Sequence, residues 1–511
     1  MLFDDFSLSG AIAGNSHRVK QFVKGEIGMK RKILLVCAMT VIMATPSFAL
    51  EFQQMGNFGM GGAGVARTFD GTAAYWNPGA LAFDGDKTII KFGGSVGYQI
   101  DDNLAGNVDR LSRLEDPTTG DLDLGADTAT NLDRAGQATQ LIGIMGEMQQ
   151  LGNNSLQLNG DALLGMRIRH FGTGIFGTLQ GAGTPYLDLT NIRLSGIGSS
   201  ADLATAIGAT SSGTPVFFSQ QQFLTIANAF GGGTTGENIT FAFDQQLSTS
   251  NITNLSAASA TNALILLGDS ISSGSTAGDI DTNQSSLITR GLAFFEVPLA
   301  YGYPINLGRF GTLGIGGSVK VMAGRAYLSR TTLFSTTSGD IFNNITSTHQ
   351  DSVTWGVDLG ALWKWHDVNL GIVAKNLNSP EFSTSDLESS ADGFTIRPQV
   401  RGGVSVSLLD WLSVAADIDL TNNETTQPGV KSRNLGGGLE LSPADWFAFR
   451  MGAYKNIAAS SRGPVMTAGF TIGKNWLSMD LDAAVSPETG EYKGQRYPRE
   501  GKVKLSLNSH F

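Results

Sequence analysis

An alternation of apolar and polar residues near the C-terminus constrains the fold of this chain more than any other feature. It occurs in residues 411–421 (WLSVAADIDLT), 476–486 (WLSMDLDAAVS) and 501–511 (GKVKLSLNSHF). Successive side chains of a β-strand point to opposite faces, so each stretch is predicted to form a strand with one apolar and one polar face. A soluble sandwich would bury the apolar face, whereas a membrane barrel would turn it toward lipid.

The spacing of further strand-like segments favours the barrel. Fourteen strands are predicted, near residues 87–101, 156–171, 174–189, 287–304, 309–334, 350–364, 367–377, 396–408, 411–421, 433–442, 446–457, 463–473, 476–486 and 499–511. Connections after even-numbered strands are short, and all but one of those after odd-numbered strands are longer, as in outer-membrane barrels. Trp411, Trp446 and Trp476 each begin a strand after a short turn, which is typical of an aromatic girdle, although ordinary hairpin turns would give the same pattern. We therefore predict an all-β membrane barrel over residues 87–511.

An export signal is predicted ahead of the barrel. Residues 30–32 are basic, residues 33–44 are almost wholly apolar, and small residues precede a cleavage point after Ala49. The apolar run is too short to span a membrane, which needs about 20 residues. We expect residues 29–49 to be the signal peptide and residues 1–28 to be an over-extended start; a genuine cytoplasmic leader is the alternative.

Composition agrees with an exported barrel. The only cysteine, Cys37, lies in the predicted signal, so no disulfide framework is expected in the mature chain. Without the first 49 residues the chain carries 29 basic and 42 acidic side chains, a net charge of −13, which argues against nucleic-acid binding. The 66 glycines are roughly twice the average usage.

Two long connections, 102–155 and 190–286, are predicted to be extracellular loops that contain short helices. Apolar residues follow helical spacing at Leu141, Ile144, Met145 and Met148, at Phe223, Leu224, Ala227 and Phe230, and more weakly from Ala263 to Leu267. These helices would cap the barrel mouth or bind a hydrophobic ligand, or they would pack only on one another.

The polar faces of the strands carry charges that are expected to point into the lumen. These are Asp417, Asp419, Arg450, Asp480, Asp482, Lys502 and Lys504. One interpretation is a salt-bridge network that fixes the barrel and holds the N-terminal segment, through Arg67; the other is a polar or cation-attracting passage. On the last strand, the apolar residues Val503, Leu505 and Leu507 with the terminal Phe511 are similar to the signal read by the barrel-insertion machinery.

Motifs for catalysis or nucleotide binding find no support. Residues 59–64 (GMGGAG) match G-x-G-x-x-G, but that fingerprint needs a buried strand before it, and the predicted mature chain leaves no room for one. The histidines (His17, His170, His349, His366 and His510) form no H-E-x-x-H motif and no i, i+4 pair, and no G-x-S-x-G elbow is present. We expect no enzyme activity, no catalytic residue, no metal and no cofactor.

Residues 55–82 resemble the N-terminal segment of the FadL-like outer-membrane proteins, in which a glycine-rich start leads to an Asn-Pro-Ala motif within a small hatch inside the barrel. The matching residues here are Gly59, Gly61, Gly62, Gly64, Asn77, Pro78 and Gly79, with glycine in place of the final alanine. Residues 357–382 and 397–425 resemble a narrower group, the TraF-like proteins named from conjugative plasmid-transfer operons. The resemblance implies a hatch over residues 50–86.

The resemblance also implies a function at the bacterial outer membrane. FadL-like barrels take up hydrophobic small molecules across the lipopolysaccharide layer: the ligand binds at the outer mouth, enters a lumen pocket and leaves as the hatch shifts, often sideways through the wall. The alternative is a non-transporting structural or assembly component of a conjugative transfer or secretion apparatus. The expected partners are outer-membrane lipid and lipopolysaccharide, the barrel-insertion machinery, and either a hydrophobic small molecule or transfer-apparatus proteins, with no nucleic acid.

Overall fold

A computed structural model describes most of the chain after the predicted signal peptide. It covers residues 50–56, 58–83, 88–101, 155–186, 188, 197–249, 256–272, 284, 286–332, 348–384, 394–427, 429–459, 462–474, 476–492 and 495–511. These residues belong to one compact unit. The predicted leader and signal, residues 1–49, and the helix predicted at Leu141–Met148 lie outside the described residues.

Fourteen antiparallel strands form a closed barrel, which confirms the predicted fold class. The strands are β1 Thr88–Ile100, β2 Leu156–Ile168, β3 Phe171–Tyr186, β4 Ser286–Asn306, β5 Thr312–Thr332, β6 His349–Trp365, β7 Val368–Lys375, β8 Gln399–Leu409, β9 Leu412–Asp419, β10 Asn434–Ala444, β11 Phe447–Asn456, β12 Val465–Lys474, β13 Leu477–Val485 and β14 Glu500–His510. Each strand pairs with its sequence neighbour, and β1 pairs with β14 to close the sheet, with Phe92 opposite Leu507. A closed sheet has no free edge, so the backbone groups of each strand can pair on both sides.

Short turns lie at one end of the barrel and long connections at the other. Three additional pairs of short strands extend the long-loop end. Two pairs have strands of two residues, Glu381–Phe382 with Phe394–Thr395 and Asn423–Glu424 with Lys431–Ser432, and one has strands of four residues, Thr489–Tyr492 with Gln495–Pro498. The turn between β2 and β3 is Arg169–His170, whereas the prediction ended one strand at residue 171 and began the next at residue 174. Gly172 looks like a turn residue in the sequence, but it lies on β3 where a Cβ would approach the Ala74 Cβ to 2.9 Å.

The outer wall is a band of exposed apolar side chains, spaced two residues apart along the strands. Val96 on β1 is 70% exposed, Leu299 on β4 is 73% exposed and Val353 on β6 is 73% exposed. Soluble monomers rarely expose continuous apolar surfaces of this extent, and a closed barrel with an apolar outer band is the β-structure that spans a bilayer. The chain is therefore an outer-membrane-type barrel in contact with lipid. Trp411, Trp446 and Trp476 are exposed beside the short turns.

Among the described helices, none combines the length and the apolar content that a membrane-crossing helix needs.

The long connection between β3 and β4 contains a helical insert, whose described residues are 197–249 and 256–272. Its helices are Ser200–Ala206, Gln220–Ala229, Gly233–Thr249 and Ala257–Ser272. They share one apolar core that includes Phe223, Ile226, Phe243 and Leu264, which favours the interpretation that these helices pack on one another. The buried Asp244 carboxylate accepts three backbone N–H groups of residues 216–218, at 2.7–2.9 Å. From position 194 to position 289 the sequence contains no lysine, arginine or histidine.

Residues 50–56 and 58–83, which we call the lumen segment, lie inside the barrel. The segment is mostly irregular, with one helical turn at Ala73–Trp76 and a 3₁₀ turn at Pro78–Ala82. Nearly all of it is buried although it contains little regular structure. Its polar backbone groups pair within the segment and with the inner wall, and the pairs with the wall define the candidate site.

Candidate functional site

The glycine-rich start of the lumen segment runs against the wall formed by β9 to β13. The Thr467 hydroxyl accepts a hydrogen bond from the Gly61 N–H at 2.9 Å and donates one to the Gly59 carbonyl at 2.8 Å. Gly61 has φ +65°, and a Cβ there would overlap the Ala453 carbonyl and lie 2.6 Å from the Gly437 carbonyl. A glycine is required because the backbone is left-handed and the wall is in direct contact. Gly62 also has a positive φ, and Gly64 packs on Trp76.

Asn77, Pro78 and Gly79 form a turn that is held against β5 and β6. The Asn77 side-chain amide donates to the Val65 carbonyl at 3.0 Å and to the Ala361 carbonyl on β6 at 3.1 Å, while its oxygen accepts the Gly79 N–H at 2.9 Å. A Cβ at Gly360 would overlap the Asn77 side-chain oxygen. One asparagine thus joins two parts of the lumen segment to the wall.

A continuous series of ion pairs begins at the lumen segment, follows the inner face of the wall from strand to strand and ends at the lumen segment again. We call this series the ion-pair circuit. In order, its members are Arg67, Glu440, Arg450, Asp480, Lys91 and Asp70, with nitrogen–oxygen distances of 2.9, 3.2, 3.2, 3.5 and 2.9 Å. Positive and negative charges alternate along the circuit. Glu440 and Asp480 each lie between two cations, and Asp70, at the end, pairs with one. The circuit connects β10, β11, β13 and β1, on both sides of the β1–β14 seam.

The Asp70 end of the circuit is electrostatically favourable for a carboxylate. Burial raises the pKa of Asp70, but the neighbouring Lys91 ammonium and the hydrogen bonds from Thr72 outweigh burial, and the net pKa lies below the usual value. Asp70 therefore remains ionised as the partner of Lys91. Arg450 contacts a third carboxylate, Asp482, at 3.5 Å.

A second anchor lies on β8 and β9. The Arg401 guanidinium pairs with Asp417 at 3.3 Å and with Asp419 at 2.9 Å, and it donates to the Gly62 carbonyl at 3.1 Å. The Asp417 carboxylate accepts the backbone N–H groups of Gly64 and Val65 at 2.8 and 3.0 Å. This anchor fixes the lumen segment through its backbone, so it depends on the path of the chain rather than on particular side chains.

A third cluster was not foreseen from the sequence. Lys320 on β5 pairs with Glu296 on β4 at 3.0 Å and with Asp358 on β6 at 2.9 Å, and Lys375 on β7 lies 3.6 Å from Glu296. The Lys375 ammonium also sits 3.2 Å from the centroid of the Tyr75 ring. Each member is a charged residue on a strand whose neighbours two positions away face the lumen, as Ser318 and Met322 do beside Lys320. This inward position was the signal in the sequence that could have revealed the cluster.

The predicted lumen charges and insertion-signal residues occupy opposite faces of the wall. Asp417, Asp419, Arg450, Asp480, Asp482 and Lys504 are buried in the lumen. The Lys502 and Lys504 ammonium groups lie 3.7 and 3.9 Å from the Asp161 carboxylate. Asp161 was not among the lumen charges predicted from the sequence. The outward side chains are Val503, Leu505, Leu507 and Phe511, all exposed.

An apolar pocket lies at the long-loop end of this charged lumen, and Leu50 fills it. We call it the Leu50 pocket; it is lined by Leu292, Phe294, Met322, Ala326, Phe382, Phe394 and Ile396. The Leu50 carbonyl accepts a hydrogen bond from the Gln399 side chain. Phe52 packs next along the chain on Tyr75 and Trp76, with ring centroids 5.9 and 5.3 Å apart.

A polar cavity of ≈270 Å³ also lies at the long-loop end, and its lining shares no residue with the Leu50 pocket. Arg462 and Asp101 pair across its lining at 3.0 Å. A smaller cavity of ≈50 Å³ shares Arg462 and Glu500 with it and reaches Glu51 and Phe52. Within the described residues, no group of three or more His, Cys, Asp or Glu side chains is arranged to hold a metal ion.

The family model described as F plasmid transfer operon, TraF, protein matches residues 74–419, more than half of the chain. The chain belongs to this TraF family. The matched region contains the Asn77–Gly79 turn and the Arg401 anchor, and it ends before Glu440 and Arg450 of the ion-pair circuit. No curated protein matches the sequence.

The solved structures that are similar to this TraF-family chain include the following three. The Pseudomonas putida toluene transporter TodX is 13% identical, covers 91% of this chain and 99% of its own, and has a TM-score of 0.40. The CymD monoaromatic hydrocarbon channel is 10% identical, with coverages of 89% and 96% and a TM-score of 0.38. A Pseudomonas aeruginosa FadL homologue is 12% identical, with coverages of 91% and 99% and a TM-score of 0.38. Similarities at this level do not bear on what the TraF-family chain binds.

Proposed function

We propose that this TraF-family barrel is a gated outer-membrane passage for hydrophobic small molecules, with the lumen segment as its hatch. The observation that carries the proposal is the Leu50 pocket. It is an apolar site that faces the long-loop end of a lumen otherwise lined by charges, and the side chain that fills it is the first residue of the predicted mature chain.

The position of Leu50 makes the pocket accessible to a competing ligand. Burial of a leucine side chain contributes roughly 1.5–3 kcal/mol, so an apolar molecule of equal or larger area would replace Leu50 at little net cost. Residues 50 and 51 are held to the wall by hydrogen bonds, from the Gln399 side chain to the Leu50 carbonyl and between the Gln180 side chain and the Glu51 backbone, whereas the ion pairs of the circuit begin later, at Arg67. Residues 50–56 can therefore be displaced by a ligand while the ion-pair circuit remains intact, and passage requires a second step in which the hatch moves.

A second candidate is a non-transporting component of a conjugative transfer or secretion apparatus. The ion-pair circuit favours it, because Arg67 and Asp70 tie the lumen segment to β10 and β1, and the rest of the circuit joins these strands to β11 and β13. Breaking one buried pair leaves an uncompensated charge at a cost of about 3–5 kcal/mol, so a hatch held in this way would open rarely. The family description, from a plasmid transfer operon, is compatible with this candidate.

Accumulation of a radiolabelled aromatic hydrocarbon in cells with an intact lipopolysaccharide layer tests the proposal. Cells that contain the barrel should accumulate the hydrocarbon several-fold faster than cells without it. Met322→Glu, which places a charge in the Leu50 pocket, should abolish the difference. Gln427→Glu, which adds the same charge in the polar cavity of ≈270 Å³ and not in the Leu50 pocket, is the matched control and should not. Equal rates with and without the barrel, together with co-purification of transfer-apparatus proteins, would favour the second candidate.

A further inference from the structure

The outer wall has an apolar groove of ≈580 Å³ across β4 to β7, which we call the wall groove. Its sides include Tyr301, Tyr303, Leu359 and Ile372, and its floor includes Gly317 and Ala361. The strand register explains the depression. Gly317 on β5 pairs with Tyr301 on β4 and with Leu359 on β6. Two residues along the same strands, Ala361 on β6 pairs with Ile315 on β5 and with Ile372 on β7. Two small side chains flanked by large ones leave a trough that runs along the outer face.

The wall groove is on the opposite face of the strands that hold the Asn77–Pro78–Gly79 turn. Gly316 and Gly317 are successive residues of β5: Gly316 faces the lumen, where a Cβ would overlap the Pro78 carbonyl, and Gly317 faces outward. One backbone thickness therefore separates the turn from the groove. Because Tyr303 is three residues from the end of β4, the groove lies in the half of the wall next to the short turns.

We propose that the wall groove binds one acyl chain of a phospholipid from the leaflet on the short-turn side. The groove is continuous with the lipid-facing band and its lining includes no charged side chain. If the groove were empty, the side chains that line it would lose their dispersion contacts. A flexible acyl chain can enter a narrow groove and restore these contacts, whereas lipids that only cover its rim cannot. The two tyrosines at its side are residues that prefer the membrane interface, with the ring in the apolar layer and the hydroxyl toward the head groups.

The inference concerns a surface other than the lumen, so it does not depend on the proposed uptake function. It predicts that one lipid chain remains at a defined place on the barrel, whereas lipids elsewhere on the band exchange freely. The chain would pack on the wall directly behind Pro78 and Gly79. A second copy of the barrel, or another membrane protein, is the competing occupant and is distinguished by the test.

The test uses the full barrel in proteoliposomes that contain a phospholipid with a photoreactive diazirine in its acyl chain. Cross-linked residues are located by mass spectrometry. We expect several-fold enrichment of lipid adducts at Tyr301, Tyr303, Leu359 and Ile372 over outward residues of similar exposure on another strand, such as Val503 and Leu505. Uniform labelling of the band, or protein–protein adducts at the groove in place of lipid adducts, would overturn the proposal.

A filled-groove variant makes the test specific. In Gly317→Leu, the Cβ makes only ordinary contacts, 3.4 Å from the Leu359 side chain and 3.8 Å from the Asp358 carbonyl, so the barrel should fold. The enrichment should disappear in this variant. Gly181→Leu is the matched control, since Gly181 faces outward on β3 beside Leu158 and has room for a side chain; it should retain the enrichment. Persistence of the adducts in Gly317→Leu would also overturn the proposal.

Discussion

Replacement of Arg450 by methionine tests the ion-pair circuit most directly. Arg450 is 2% exposed and contacts Glu440, Asp480 and Asp482 at 3.2, 3.2 and 3.5 Å. After the change, Glu440 keeps its pair with Arg67 and Asp480 keeps its pair with Lys91. Asp482 has no other ion pair within the part of the chain that the structure describes, and neither of its carboxylate oxygens accepts a hydrogen bond there.

The loss should therefore be concentrated on one buried carboxylate. An uncompensated buried charge costs about 3–5 kcal/mol, and we expect Arg450→Met to lower the free energy of unfolding of the barrel by that amount. Urea unfolding of the lipid-refolded barrel, followed by tryptophan fluorescence, measures the change. Because Asp482 carries most of the cost, the double variant Arg450→Met with Asp482→Asn should recover at least half of the loss.

Arg325→Met is the matched control. Arg325 and Asp351 also form a two-bond ion pair, at 2.6 and 2.9 Å, but their side chains are 44% and 64% exposed. Exposed pairs contribute little to stability, so this variant should unfold at the same urea concentration as the parent. If Arg450→Met behaved like the control, or if Asp482→Asn failed to rescue it, the assignment of Arg450 as the central cation of the circuit would be wrong.

Three further changes test the contacts of the lumen segment. Gly360→Ala should destabilise the barrel, because the new Cβ overlaps the Asn77 side-chain oxygen; a lower temperature of the heat-induced mobility shift on gels would show it, and an unchanged shift would refute the close approach. Leu50→Ala should lower stability by about 2–5 kcal/mol, as for other buried leucines, and should speed proteolysis of residues 50–56; an unchanged cleavage rate would mean that the Leu50 pocket does not hold the chain. Asp70 has a depressed pKa, so its contribution is fully present above the usual carboxyl range and is lost as the pH falls through the depressed value; Asp70→Asn removes this contribution at every pH, so the segment should be more protease-sensitive than in the parent at neutral pH and the difference should disappear in acid, and identical pH profiles would exclude Asp70 as an anchor.

Alternation was sufficient to predict the barrel because it is a local property. Val503, Leu505 and Leu507 point outward whatever the rest of the chain does, once the strand is in the wall. The turn at Arg169–His170 was misplaced because Gly172 has a tertiary role, close packing on Ala74, that no local pattern reveals. The helix Gly233–Thr249 was missed because its glycines and threonines are poor helix formers, although Ile239, Phe243 and Leu247 have helical spacing and are buried.

The candidate site was predictable only in part, for a related reason. Inward charges such as Asp417 and Arg450 could be placed on the lumen face, but their partners depend on the path of the lumen segment. No short sequence pattern predicts that the ion-pair circuit ends at Asp70 or that Leu50 fills an apolar pocket. The circuit reaches Asp70 only through contacts such as Arg67 with Glu440, 373 positions apart, and Leu50 contacts Gln399, 349 positions away.

The helical insert has a chemical consequence that follows from its lack of basic residues. Trypsin and related proteases cut after lysine or arginine, and the sequence offers neither over the 96 positions from 194 to 289. Amine-directed reagents likewise find no target there. The insert should therefore survive tryptic digestion as one uncut piece bounded by Arg193 and Arg290.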